Sequence, residues 1–87
     1  VDLLFDAIQT LKTREEYSAF FEVLCTVNEG LSLAQRIEVA QKLEAGSTYQ
    51  EVTHDTGAST ATISRVNRML NDGTDGLRNA LERLQQE

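Results

Sequence analysis

Residues Thr48 to Leu70 read TYQEVTHDTGASTATISRVNRML, and the fold turns on where this stretch bends. Gly57 stands in its middle, and glycine takes a positive φ without steric cost. Before it, Thr48-Tyr49-Gln50-Glu51 has the Thr-x-x-Glu form of a capping box, so a short helix is expected from Thr48 to about Thr56. After it, Ser59 is suited to cap a second helix reaching about Asn71. The apolar spacing is regular: Val52 lies five positions before the glycine, Ala58 directly after it, Ile63 six after and Val66 nine after. Such positions lock two short helices together at a steep angle, the layout of a helix-turn-helix. Helix-glycine-helix corners also occur in proteins with no nucleic-acid role, and Ser or Thr at a helix start is often no more than a cap.

The pattern extends both ways from this corner. Leu4, Ala7, Ile8 and Leu11 recur at helical spacing and predict a first helix over about residues 2–12. Thr13-Arg14-Glu15-Glu16 is another capping box, opening a helix with Tyr17, Phe20, Phe21, Leu24 and Cys25 on one broad face. Gly30 is expected to end it. Ser32-Leu33-Ala34-Gln35 is expected to begin a third helix that carries Ala34, Ile37, Val39, Ala40 and Leu43 as far as Gly46. Asn71-Asp72-Gly73 reads as a turn, and Leu77, Ala80, Leu81 and Leu84 mark a sixth helix. The fold class is therefore all-α, with six helices in one domain over residues 1–87. A chain this short buries only about 60–65% of its unfolded surface. It has more amphipathic helices than one small core can cover, so a homodimer is expected rather than a six-helix monomer.

The formal net charge is -6. An acidic balance usually argues against nucleic acid, because phosphate contacts rest on Lys and Arg. The charges are unevenly spread, however. Acids crowd residues 1–30, while residues 59–71 hold Arg65 and Arg68 and no acid. Ser59, Thr60, Thr62, Ser64, Arg65 and Arg68 are expected to cover the face and rim opposite the packing positions. Hydroxyls and helix-start N–H groups bond phosphate oxygens. Arginine grips phosphate, or guanine with two parallel bonds. Ala61 is small enough to approach a base edge or a thymine methyl, and Gln50 is long enough to reach phosphate or adenine. Double-stranded DNA is the partner these residues suit.

Other chemistries find little support. No apolar run approaches the roughly 20 residues of a membrane span, and no secretory signal is evident. The single Cys25 cannot form an intramolecular disulfide and fits a reducing cytoplasm. It lies near Glu22 and Glu29, the wrong neighbourhood for a nucleophile. His54 is the only histidine and has no second metal-ligating partner, so no metal or cofactor is expected. Acid pairs such as Glu15-Glu16 read as helix-start charges, and no glycine-rich phosphate loop occurs. An enzyme is not expected. The rival to DNA binding is an acidic interaction module that docks a basic partner and uses the helix-turn-helix as scaffold.

Gly57-Ala58 followed by Ala61-Thr62-Ile63-Ser64-Arg65 resembles the reading head of the tryptophan repressor, where a Gly-Ala-Gly-Ile-Ala-Thr-Ile-Thr-Arg run holds the same place. Gln50-Glu51-Val52 is similar to the start of that repressor's preceding helix. The resemblance runs back through Arg36-Ile37-Glu38-Val39 and on to Leu77-Arg78, with a one-residue gap near Gly46, and covers roughly residues 31–84. The first 30 residues match only in helical character. Leu31-Ser32-Leu33-Ala34-Gln35-Arg36 is most similar to the YerC/YecD-type relatives within that superfamily. The resemblance implies an intertwined, all-helical homodimer that presents two reading heads to successive major grooves, about 34 Å apart. It implies a transcriptional regulator, of the repressor kind, in which Thr48, Gln50, Ser59, Thr60, Ala61 and Ser64 lie at the DNA surface.

The same resemblance implies an effector pocket in which two arginines clamp tryptophan and a threonine and a glycine line it. Arg36 and Arg65 match the arginines, and Thr62 matches the threonine. Val66 stands where the glycine belongs, and Met69 where a serine belongs. The valine adds bulk where a flat indole slides against the helix backbone, which speaks against tryptophan. Either Val66 and Met69 plug the pocket, or a smaller or differently shaped effector binds between Arg36 and Arg65.

Overall fold

A computed structural model describes residues 1–73 and 75–86. Six helices follow in order: α1 (Asp2–Gln9), α2 (Arg14–Leu24), α3 (Val27–Glu44), α4 (Tyr49–Thr56), α5 (Thr60–Asp72) and α6 (Gly76–Gln85). No strand occurs among the described residues, so the all-α, six-helix expectation is met. The chain divides into two compact units, residues 1–32 and 33–87.

The first unit holds α1, α2 and the start of α3. α1 ends at Gln9, short of the expected bound near residue 12, where the Thr10 hydroxyl donates to the Ala7 carbonyl at 2.7 Å and closes the last turn. Thr13 caps α2 as expected, its Oγ1 accepting from the Glu16 N–H at 3.1 Å. Phe20 and Phe21 meet edge to face, 5.3 Å between ring centroids. Neither α1 nor α2 has a fully buried residue, and Val23 and Val27 are 90% and 80% exposed.

The boundary between the second and third helices differs from the sequence expectation. α2 ends at Leu24, Cys25 is extended, and α3 begins at Val27. Gly30 does not stop a helix; it lies inside α3 without the positive φ that would end one. Ser32 and Gln35 form no capping box, since both sit within the same helix. The reciprocal bonds belong instead to Thr26 and Glu29. The Thr26 N–H donates to Glu29 Oε1 at 2.8 Å, and the Glu29 N–H donates to Thr26 Oγ1 at 3.1 Å. These bonds lower the Glu29 carboxyl below its ordinary range, the backbone bond from Thr26 most strongly.

The second unit holds the core. Val39 and Ala40 of α3, Val52 of α4, Ala58, Ile63, Val66 and Leu70 of α5, and Leu81 of α6 are buried together, with Leu43 and Leu77 packed against them. Burying a side chain such as Ile63 or Val66 contributes about 1.5–3 kcal/mol. α3 ends in a Schellman turn at Gly46, whose φ is +90°. The Gly46 N–H donates to the Leu43 carbonyl at 3.0 Å, and the Ser47 N–H to the Lys42 carbonyl at 3.1 Å. Arg78 Nε donates to Glu44 Oε1 at 3.2 Å and ties α6 to the end of α3.

The relocated helix start is testable by urea unfolding at fixed protein concentration. Thr26→Ala is expected to cost about 1 kcal/mol through the lost cap. Ser32→Ala, at an exposed mid-helix position, is expected to stay within about 0.5 kcal/mol of the parent. The reverse order would restore the boundary at Gly30.

Candidate nucleic-acid interface

The corner between α4 and α5 is held by side-chain-to-backbone bonds and a backbone cap at Gly57. Thr48 Oγ1 accepts from the Glu51 N–H at 3.2 Å, and Glu51 Oε1 accepts from the Thr48 N–H at 2.8 Å, completing the expected capping box. α4 ends at Gly57, in the left-handed region with φ 75° and ψ 4°, whose N–H donates to the Thr53 carbonyl at 2.9 Å. The Thr56 hydroxyl donates to the Val52 carbonyl at 2.7 Å and accepts from the Ala58 N–H at 3.2 Å. The Thr56 carbonyl accepts from Gln35 Nε2 at 3.3 Å. Gln35, expected as part of a cap, instead fixes this corner from α3.

Ser59 caps α5, its Oγ accepting from the Thr62 N–H at 3.2 Å, and its hydroxyl donates to Thr62 Oγ1 at 3.2 Å. Thr48, Ser59 and Thr62 thus spend their hydroxyls partly on caps. Along α5, Ile63, Val66 and Leu70 are buried and define the inward face. At about 100° per residue, Ala61, Arg65 and Arg68 fall on the opposite stripe, and all three are exposed. Asp72 closes that stripe at the helix end. Thr60 and Ser64 flank it on one side, with Thr60 exposed and Ser64 half-buried, and half-buried Thr62 flanks it on the other. Thr48 and Gln50 are exposed at the start of α4.

The two acids of α4 are held by local partners. Glu51 is engaged by Thr48, whose backbone bond chiefly lowers its carboxyl below the ordinary range. Asp55 is lowered too, first by the hydrogen bond from His54 and then by that from Lys42. His54 Nδ1 lies 3.1 Å from Asp55 Oδ1, and Lys42 Nζ lies 3.4 Å from Asp55 Oδ2.

Tyr49, Thr53 and His54 share an open groove with Gln50 and Thr60. The sequence alone did not mark Tyr49 or Thr53, and no spacing rule groups them. Elsewhere in this unit, Arg36, Val66 and Met69 line a cavity of about 310 Å³ together with Leu33, Ile37 and Leu77. Arg36 is its one charged lining residue, and the walls are otherwise apolar. Thr62 and Arg65, grouped with the pocket by resemblance, do not line it.

The model of the family described as Trp repressor protein matches residues 1–85. The chain belongs to the Trp repressor family. The match includes the first 30 residues, where only helical character was legible. It is 54% identical over 86 residues to the YerC protein of Bacillus subtilis (strain 168), covering 99% of this chain and 83% of that one. A TrpR-like protein from Eubacterium eligens ATCC 27750 superposes with a TM-score of 0.95 at 55% identity, covering 98% of this chain and 88% of that one. A solved chain from Staphylococcus aureus gives a TM-score of 0.94 at 52% identity, with 99% and 86% covered.

The left-handed Gly57 sets how α5 leaves α4. Gly57→Ala is expected to cost about 1–2 kcal/mol, because an L-residue is strained at φ +75° whatever the space around it. Thermal unfolding checks this, and an unchanged midpoint would contradict the strain.

Proposed function

We propose that the protein is a cytoplasmic, non-enzymatic transcriptional regulator of the repressor kind that binds operator DNA as a homodimer through α4, Gly57 and α5. In this reading residues 1–87 act as one DNA-binding unit. The observation that carries it is the exposed stripe of Ala61, Arg65 and Arg68, set opposite the buried Ile63, Val66 and Leu70. Ala61 meets base edges, the arginines neutralise phosphate, and Thr48, Gln50, Ser59, Thr60, Thr62 and Ser64 fix the register.

The exposed apolar side chains of residues 1–37 support the dimer. Val23, Val27 and Leu31 are open to solvent in the single chain, and large apolar side chains left exposed in this way are what a second copy would cover. Two reading heads in one dimer would place two positive stripes on one face. No helix among the described residues is long and apolar enough to cross a membrane.

The cavity beside Arg36 supports a small-molecule effector other than tryptophan. Val66 is fully buried and fills the position where the family pattern leaves a glycine. The residues expected around that ligand are Arg36, Thr62, Arg65, Val66 and Met69, of which Arg36, Val66 and Met69 meet at the cavity.

Duplexes selected from a random DNA pool supply the test ligand, with binding followed by fluorescence anisotropy. Arg68→Ala is expected to weaken binding to all sequences and to lower the salt slope by about one per protomer. Ala61→Glu is expected to abolish binding while the helical circular dichroism stays intact. Retained operator binding by Ala61→Glu would remove α5 from the groove. Flow-through of the parent protein on a DNA resin at low salt would favour the acidic interaction module instead.

A further inference from the structure

Three helices leave a cavity of about 310 Å³ between them, walled by Leu33, Arg36 and Ile37 of α3, Val66 and Met69 of α5 and Leu77 of α6. Ligand pockets span about 300–1,000 Å³, so this one suits a small molecule. Val66 is closed off from water, whereas Leu33, Ile37 and Met69 are 45%, 47% and 47% exposed. Large apolar side chains therefore stand half-open around a dry floor. Arg36 is the only charge among the lining side chains and is itself exposed. It makes no ion pair among the described residues. Glu38 and Asp72, acids of the same two helices, lie outside the lining.

We propose that this cavity binds a small apolar monocarboxylate that carries no ammonium group, with Arg36 holding the carboxylate and the apolar tail reaching Val66. The proposal rests on the reading of the cavity as an effector site and adds the charge, size and polarity of what enters.

Each part of that ligand follows from the walls. A guanidinium presents parallel N–H donors that match a carboxylate. There is no second cation in the lining to hold a dianion. An ammonium would find no carboxylate, hydroxyl or amide side chain there to accept from it, and burying one unpaired is strongly unfavourable. A free amino acid therefore fits worse than the same skeleton without its amino group. Size sets a further limit. At about 30 Å³ for each water-sized group, the cavity takes roughly ten non-hydrogen atoms.

4-Methylpentanoate falls within that limit and serves as the probe. Leucine is the same acid with an ammonium group added, and 4-methylpentanamide is its uncharged form. Titrations follow the Ile37 and Met69 methyl signals of the isotope-labelled full chain at fixed protein concentration. 4-Methylpentanoate is expected to shift both signals to saturation, with leucine and the amide binding at least about tenfold more weakly. Arg36→Gln is expected to weaken binding of the acid about tenfold or more, while the methyl signals of buried Val39 and Leu81 keep their positions. Equal binding of leucine, or undiminished binding by Arg36→Gln, overturns the proposal and leaves an effector cavity standing. No response to the acid, the amide or leucine overturns the effector reading with it. Shifts that follow protein concentration instead of the acid would do the same, by showing that a second copy covers the cavity. DNA binding, measured separately, is untouched by any of these outcomes.

Discussion

Packing of Ile63 and Val66 into the same core as Val39 and Val52 decides what α5 shows to solvent. All four side chains are closed off from water. Once that face is fixed, the 100° step of the helix puts Ala61, Arg65 and Arg68 on the outer side. Gly57 makes the packing reachable, because its left-handed backbone turns the chain sharply between α4 and α5. Gln35 and the Thr56 hydroxyl then satisfy the polar groups of the corner. α5 is oriented by apolar burial and held by few, short-range bonds.

A chain of net charge -6 approaches a polyanion only if its acids are placed with care. In the second unit several acids are tied to neighbouring donors. Glu44 meets Arg78, Glu51 meets the Thr48 N–H, and Asp55 meets Lys42 and His54. From Thr56 to Asn71 there is no acid at all. Local potential, screened beyond about 8–10 Å at physiological salt, matters more at such a face than the overall sum. Exposed pairs of this kind add little to stability; their consequence lies in what surface they leave neutral.

Much of this was legible from residue spacing. The Thr48 and Ser59 caps, the Gly57 turn and the buried set Val52, Ala58, Ile63 and Val66 follow from short-range rules that the final packing reinforces. The start of α3 was not. Gly30 and the Ser32–Gln35 pattern imitate a helix boundary, and only the reciprocal bonds of Thr26 and Glu29 show where the helix begins. Glycine ends a helix when the backbone turns left-handed, which composition alone does not reveal. The groove around His54 also escaped, because it joins residues from different helices. The resemblance implies an effector pocket of Arg36, Thr62, Arg65, Val66 and Met69, and three of these, Arg36, Val66 and Met69, line one cavity with Leu33, Ile37 and Leu77.

The central claim is that the Ala61, Arg65 and Arg68 face of α5, free of acid as far as Asn71 and aimed outward by the α4–α5 corner, meets DNA. Titrating the isotope-labelled protein with a selected operator duplex and following backbone amide shifts tests it most directly. The account predicts that the largest shifts fall between Thr48 and Arg68, strongest at Ala61, Arg65 and Arg68, with α6 little changed. A footprint confined to α1, α2 or α6, with the amides of α5 unmoved, would contradict it.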